Sequence, residues 1–459
     1  MIAYTIQRMA RSRGALVMLS GALALASSSC DTSEFLGVED PDIINPSNVT
    51  SPAGANAVRV GALGRFNSAT SGGESMLLLG GLFTDEWING DSFIGRQEVD
   101  QRVITIQNSF VTDASRLLHR ARLSAQQAVE LLTEFAPTAP GWQPAEMYLV
   151  QAYIENITAE HFCNGLVFST VIDGAEVYGS PITTADAFAR ALAHADSGLT
   201  LVTGTTNDDN RVRNALKVVR GRILLNLNRP AEATTSVTGV LTNFQYNMLH
   251  SQTTNSNQVW NFNNLAWRYS VGNGEGTNGV NFATAADPRV PVCVGNDAVC
   301  RTNGVTRTTR DDLTGPLYVQ LVWPIRESSV AITSGIEARM IEAEAQLAAG
   351  NTAGALATLN AARTTVTGLA PLADAGTTDA RVNQLFRERA MWLFGRGYRL
   401  GDMRRLIRQY GRSAAAVFPV GVWHKGGNYG TDVNFPVPQA ELNNPNLPSG
   451  ANTCLDRNA

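Results

Sequence analysis

The chain has 459 residues, a formal net charge of −4 at pH 7, and 44% hydrophobic residues. This length allows one large compact domain or two to three average ones. The nearly balanced charge does not favour a nucleic-acid partner, which would require a strongly basic surface.

The N-terminus has the pattern of an export signal. Three arginines within residues 8–13 precede an apolar run at 15–26 that is too short to span a bilayer. Three serines then lead to Cys30, as at the cleavage junction of a lipoprotein, where the cysteine thiol is acylated. We predict a lipoprotein signal peptide over residues 1–29 and a lipid anchor at Cys30; an ordinary secretory signal is the alternative. No second apolar stretch is long enough to span a membrane, so membrane attachment would depend on Cys30.

A polar, proline-punctuated segment follows the cysteine. Prolines at positions 41, 46 and 52 predict an extended, lipidated tether over residues 30–55, and a large domain over residues 56–459.

Helical patterns dominate the large domain. Residues 115–132 place their apolar side chains on one helical face. Residues 215–240 and 336–359 each show two short helices separated by a break, with small residues where the helices would cross. This pattern is typical of tetratricopeptide-type hairpins.

Residues 243–326 differ in character. They are rich in Asn, Gly and Thr and contain Trp260, Trp267, Tyr269 and Trp323. We predict long loops with some short strands, and long loops on a helical scaffold usually carry function.

Four cysteines remain beyond Cys30. In an oxidising compartment they allow three pairings. Cys293 and Cys300 flank a turn-rich loop, which favours a local disulfide and leaves Cys163 with Cys454. Zinc is the competing interpretation, but the spacing is not CxxC and no histidine lies close in sequence, so no metal is expected.

Two C-terminal patterns predict structural roles. Arg399 and Asp402 lie three residues apart, so an ion pair across one helical turn is available to them. The segment from Phe435 to Pro438 must be extended, because each proline disfavours helix in the preceding residue. We expect it to lie across the body as a tie.

Six motifs in chain order resemble one family. They are Cys30-Asp31 with residues 35–38, Asp85-Glu86-Trp87, residues 287–291, residues 336–345 with 360–363, residues 387–405, and residues 435–447. Together they resemble the SusD/RagB family of outer-membrane nutrient-binding lipoproteins, although residues 394–396 and the stretch at 163–165 depart from its pattern. The resemblance implies a mainly α, SusD-like single large domain built on tetratricopeptide-like helical hairpins, with long irregular loops and a few short strands.

The resemblance also implies a function. The protein would be lipid-anchored in the outer membrane and face the exterior, capture an oligo- or polysaccharide, and hand it to a SusC-like TonB-dependent transporter. Two alternatives remain: a peptide-binding lid of the RagB type, and a helical-repeat adaptor without a small ligand.

The sequence shows no catalytic constellation. It lacks GxSxG, HExxH and GKS/T motifs, and its five histidines include no pair at helical spacing. Neighbouring acids such as Asp85 and Glu86 point in different directions, whereas glycosidase carboxylates face each other across a substrate. We therefore expect a binding protein without enzymatic activity and without a cofactor.

Aromatic loops supply the candidate ligand residues. Tryptophan and tyrosine rings bury the C–H faces of sugars, while polar side chains bind the hydroxyls. The expected ligand-binding residues are Trp87, Asn89, Asp91, Arg96, Trp267, Tyr269 and Trp323, with Arg268 in the second loop. The alternative is that the tryptophans fill the core.

Overall fold

The computed structural model describes residues 48–172, 175–447 and 453–459, and the body extends from Val49 to Ala459. The predicted signal peptide and Cys30 lie outside the described residues, as does most of the predicted tether. The first helix of the described residues begins at Pro52, inside the segment assigned to the tether; the Ser51 side chain accepts a hydrogen bond from the Gly54 N–H and caps it. In the described part of the chain, no helix combines the length and hydropathy that crossing a membrane requires.

Helices form about half of the described structure. In chain order they are α1 (Pro52–Ser71), α2 (Met76–Phe83), α3 (Ile94–Gln101), α4 (Ser109–Phe135), α5 (Trp142–His161), α6 (Thr184–Leu201), α7 (Asn207–Asn226), α8 (Pro230–Val237), α9 (Gln258–Trp260), α10 (Ala298–Thr302), α11 (Gly335–Ala348), α12 (Thr352–Arg363), α13 (Thr378–Trp392), α14 (Arg399–Arg408) and α15 (Ala414–Val417). A π turn spans Asn261–Leu265 and a 3-10 helix spans Gln439–Asn443.

The described strands are short and form two-stranded sheets. They are β1 (Trp87–Asn89), β2 (Thr170–Ile172), β3 (Ala175–Val177), β4 (Gln245–Met248), β5 (Tyr269–Val271), β6 (Val292–Val294), β7 (Tyr318–Gln320) and β8 (Val330–Ser334). The antiparallel pairs are β1–β5, β2–β3, β4–β8 and β6–β7. The predicted mainly α class with few short strands is confirmed.

Both predicted helical hairpins are present, as α7–α8 and α11–α12. A capping box between Thr206 and Asp209 starts α7, and Pro230 starts α8. The small residue at the crossing is Gly221: a Cβ there would lie 2.8 Å from Cγ1 of Val237 in α8. Glycine therefore lets the two helices approach closely.

The loop-rich region also has its predicted character, with one local difference. Short strands and turns fill residues 243–326. Trp260 lies in the region predicted to form loops and short strands, but it ends the short helix α9 and is half-buried; its indole N–H donates to the Pro324 carbonyl at 3.0 Å.

The C-terminal helix motif is held by buried ion pairs, but not by the pair available within one turn. Asp402 accepts from Arg389, with two nitrogen–oxygen distances of 2.8 Å, and from Arg405. Arg399 instead binds Asp85 of the N-terminal part through two hydrogen bonds of 2.7 and 2.8 Å. The expected Arg399–Asp402 pairing is wrong because Arg399 is paired with Asp85, while Asp402 is paired with Arg389 and Arg405. The motif is structural, as predicted.

Two disulfides and an extended tie complete the body. Cys293 pairs with Cys300 and Cys163 with Cys454, which confirms both predicted pairs. Phe435 is fully buried and bridges to Phe162, with the Cys163 N–H donating to the Phe435 carbonyl at 2.8 Å. The prediction that this segment is extended and lies across the body is therefore confirmed, and the Cys163–Cys454 disulfide lies next to it.

Candidate functional site

Most of the predicted ligand residues meet at one place, but in the interior. Trp87, Asn89, Asp91, Arg96 and Tyr269 are all at most 3% exposed. Trp323 is also buried, at 2% exposure, and its backbone N–H donates to the Gln320 side chain at 2.8 Å. The expectation that these six residues form an exposed ligand surface is wrong for this structure.

Strand pairing explains the burial of the two aromatic residues. Trp87 in β1 pairs with Val271 in β5, and the same ladder pairs Asn89 with Tyr269. The Trp87 ring lies 4.9 Å from the Phe394 ring, so it packs against the loop before α14. Tyr269 meets Phe262 edge-on at 5.5 Å. Both side chains are part of the hydrophobic core.

Arg96 is enclosed rather than available to a ligand. Its guanidinium forms salt bridges with Asp91, at 2.6 Å, and with Glu74. Three phenylalanine rings surround the cation at 4.5 to 5.1 Å. The positive charge of Arg96 is thus paired with carboxylates and covered by aromatic rings within the fold. Its salt bridge with Asp91 therefore stabilises the loop before α3.

These buried residues support a loop junction, formed by residues 89–93, 266–268, 310–314 and 424–425. The Gly90 N–H donates to the Arg268 carbonyl and the Asp312 N–H donates to the Gly90 carbonyl, both at 2.7 Å. A Cβ at Gly90 would lie 2.8 Å from the Trp267 carbonyl oxygen, so only glycine allows this approach. Lys425 donates to the Asn89 side chain at 2.5 Å and pairs with Asp312.

The junction displays aromatic and cationic side chains on its outer side. Trp267 is half-buried, with the Arg307 guanidinium 4.7 Å from its ring centroid. Arg268 lies 5.4 Å from the ring of Phe93, which is 49% exposed. Leu313, 69% exposed, extends from the same junction. We call these five residues the Trp267 face.

Backbone strain marks the Trp267 face. Trp267 has φ +56° and Leu313 has φ +63°, both in the left-handed region that bulky residues rarely adopt. Such conformations persist only where surrounding contacts fix them, and they cluster at binding sites. Hydrogen bonds of the loop junction, including Asp311 N–H to the Trp267 carbonyl at 3.1 Å, supply that support.

The Trp267 face also offers uncommitted hydrogen-bond donors. Among the described residues Arg268 has no carboxylate partner, and Arg307 donates only to backbone carbonyls of residues 309–311. His424 belongs to the supporting layer: its ring lies 2.9 Å from the Asn89 carbonyl, and burial lowers its pKa to about 4. The arrangement suits the binding of a ligand rich in oxygen acceptors.

Glu86, a buried carboxyl next to Trp87, is expected to make the stability of the fold depend on pH. Glu86 accepts a hydrogen bond from the Gly395 N–H at 2.9 Å, while burial raises its pKa to about 8. In the folded protein Glu86 is therefore protonated at neutral pH, whereas the unfolded chain ionises near its ordinary value. Unfolding releases this proton, so the stabilisation present at acid pH is lost as pH rises from about 4.5 towards 8.

We expect Glu86→Gln to remove this part of the pH dependence, which is on the order of 3–5 kcal/mol at most. Urea unfolding between pH 5 and pH 8 measures it: the variant should lose less stability over that range than the unchanged protein. Glu134→Gln, at an exposed carboxylate of α4, should keep the original slope. An unchanged slope in Glu86→Gln would contradict the assignment.

Solved structures share this architecture. A SusD superfamily protein from Parabacteroides distasonis superposes with a TM-score of 0.63 at 16% identity, covering 88% of this chain and all of its own. Surface glycan-binding protein A from Bacteroides uniformis gives 0.63 at 13% identity, covering 87% and 99%. A SusD/RagB family protein from Bacteroides thetaiotaomicron gives 0.61 at 9% identity, covering 86% and 94%. No protein-family model and no curated protein matches the sequence. The fold of the chain is thus SusD-like, which confirms the structural side of the resemblance.

Proposed function

We propose that the protein captures a nutrient, an oligo- or polysaccharide, at the Trp267 face. The observation that carries the proposal is a half-buried tryptophan fixed in a strained conformation beside two arginines without carboxylate partners. The indole ring suits the C–H face of a sugar, and the guanidinium groups suit its hydroxyl or carboxylate oxygens. One structural neighbour is a surface glycan-binding protein, which supports the same ligand class.

A glycan array run beside a peptide library identifies the ligand. We then expect Trp267→Ala to weaken its binding about ten- to thirtyfold, because a stacked aromatic contributes on the order of 1–2 kcal/mol. The melting temperature should change little, since the side chain is only half-buried.

Trp142→Ala is the matched control for this experiment. Like Trp267, Trp142 is half-buried and has an arginine over its ring, with Arg59 5.1 Å from the ring centroid. Trp142 lies at the start of α5, however, and is not part of the Trp267 face. The control should bind the ligand as the unchanged protein does. Equal affinities of Trp267→Ala and Trp142→Ala would contradict glycan capture at the Trp267 face, and selective peptide binding would assign the site to a peptide instead.

We also propose that the captured ligand passes to a SusC-like TonB-dependent transporter, with the protein held on the outer membrane by lipid at Cys30 and facing the exterior. The lipoprotein-like N-terminal sequence and the SusD-like fold support this proposal. Co-purification with a large outer-membrane barrel tests the partnership, and its absence would favour an adaptor role.

Cys30→Ala is expected to abolish lipid labelling and to release the protein from the membrane fraction, because several acyl chains on one cysteine provide the firm anchor. Metabolic labelling with a fatty-acid analogue, followed by membrane fractionation, measures both effects. Retention of the unlabelled variant in cells lacking the transporter would contradict anchoring through Cys30.

A further inference from the structure

A cavity lies away from the loop junction, between α4, the β2–β3 hairpin and the 3-10 helix near the C-terminus. Its volume is about 440 Å³, within the range of pockets that hold small organic ligands. The walls are largely apolar, and carry Leu123, Val167, Val171, Val177 and Tyr178. Tyr178 is 46% exposed and Val177 is 41% exposed, so apolar surface remains uncovered at this hairpin.

The cavity contains a buried cation whose hydrogen bonds are incomplete. Arg122, on α4, is 1% exposed and lines the cavity. Its Nη2 donates to the Ser169 carbonyl, but Nε and Nη1 are buried without a hydrogen-bond partner among the described residues. Buried polar groups are nearly always paired, and a buried charge without its own counter-charge is strongly unfavourable.

The neighbouring charges do not neutralise Arg122. The nearby carboxylate of Glu155 is already bound by Arg190 and His194, each at 2.7 Å. Burial, together with the charge of Arg190, lowers the pKa of Arg122 to about 10 despite the attraction of Glu155. The guanidinium thus lies in surroundings that an additional anion would stabilise.

The remaining polar lining is mixed in charge. Arg116 and Arg120 add two cations from α4, and Arg116 pairs with Asp113 outside the cavity. Two acids also line it: Glu176, which accepts from the Tyr178 hydroxyl at 3.0 Å, and Glu441. Burial raises the pKa of Glu441, which favours its neutral form. The excess of cations lies along α4, beside Arg122.

We propose that this cavity, the Arg122 pocket, is a second ligand site that binds a small carboxylate with an apolar body. The carboxylate would take up the free hydrogen-bonding capacity of Arg122, supported by Arg120, and the apolar body would cover the exposed hairpin side chains. The planar geometry of a guanidinium is best suited to a bidentate, charge-assisted hydrogen-bonding interaction with a carboxylate.

Calorimetric titration with 4-phenylbutyrate and its uncharged analogue 4-phenylbutanamide tests the proposal. The acid should bind at least about tenfold more tightly than the amide, because only the acid supplies a counter-charge. Titration with octanoate in parallel shows whether the pocket prefers an apolar chain or the aromatic ring of 4-phenylbutyrate. Binding of either acid supports the site. Failure of both acids to bind, or equal binding of acid and amide, overturns it.

Three variants locate the binding. Arg122→Gln should weaken acid binding at least about tenfold, whereas Arg229→Gln, at an exposed arginine that pairs with Glu232 outside the pocket, should leave it unchanged. Because Arg122→Gln changes a buried residue, Val177→Glu provides a surface test: its added negative charge should weaken the acid but not the amide. If the acid binds to folded Arg122→Gln and to Val177→Glu as to the unchanged protein, the pocket is not its site.

Discussion

An Asp402→Ala variant is expected to lose about 3–5 kcal/mol of unfolding free energy, because it leaves two buried guanidinium groups short of a counter-charge. Asp402 binds both Arg389 and Arg405, and all three side chains are at most 5% exposed. Burial alone would raise the pKa of Asp402, but the two arginines hold it below its ordinary value. Without this carboxylate, Glu344 is the one remaining acid among the described residues that forms an ion pair with either arginine.

Chemical denaturation at pH 7 measures the loss, and the chain provides a matched exposed pair. Asp374 binds Arg381 through two contacts of 2.6 Å, but its side chain is 48% exposed. Asp374→Ala should therefore change the unfolding free energy by less than about 1 kcal/mol. Similar losses in the two variants would show that burial does not set the strength of the Asp402 cluster.

The second large effect concerns Trp87, where truncation to alanine should lower the unfolding free energy by about 3–5 kcal/mol. The indole is fully buried between the paired strands and Phe394, and a Cβ at Gly395 would lie only 3.2 Å from it. The surrounding backbone is too closely fitted to collapse into the vacated volume, so a cavity remains.

Ligand binding separates the two tryptophans. At a temperature where Trp87→Ala is still folded, its affinity for the ligand should stay within about threefold of the unchanged protein. Trp267→Ala should show the opposite pattern, with weak binding and near-normal stability. A tenfold loss of affinity in fully folded Trp87→Ala would place Trp87 in the ligand surface after all.

The sequence predicts the helical hairpins well because their signals are local. The hairpins α7–α8 and α11–α12 follow from periodic apolar residues and from breaks at their turns. The disulfide between Cys293 and Cys300 follows from a short, turn-rich loop. The tie at Phe435 follows from proline alone. In each case the interaction that decides the structure lies within a few residues.

The candidate site is predicted less well because distant segments build it. Three-residue strands carry almost no periodic signal, so nothing local indicates that β1 pairs with β5 and buries Trp87 and Tyr269. Of the seven expected ligand residues, Trp267 alone remains on the surface. Phe93 and Ile94 are adjacent apolar residues in a polar stretch of sequence, which is a signal for an exposed aromatic residue, whereas no sequence signal indicates Arg307.

Acylation of Lys425 can report how often the loop junction opens. The chain has two lysines, and Lys425 is the one inside the junction, only 10% exposed and bound to Asn89 and Asp312. Lys217 lies on α7, where its amine donates to the Thr238 carbonyl at 3.0 Å near the surface. An amine-acylating reagent therefore modifies Lys425 only as fast as the loops separate, while Lys217 serves as the internal reference. The ratio of the two acylation rates, read by mass spectrometry with and without ligand, measures how tightly the junction is closed.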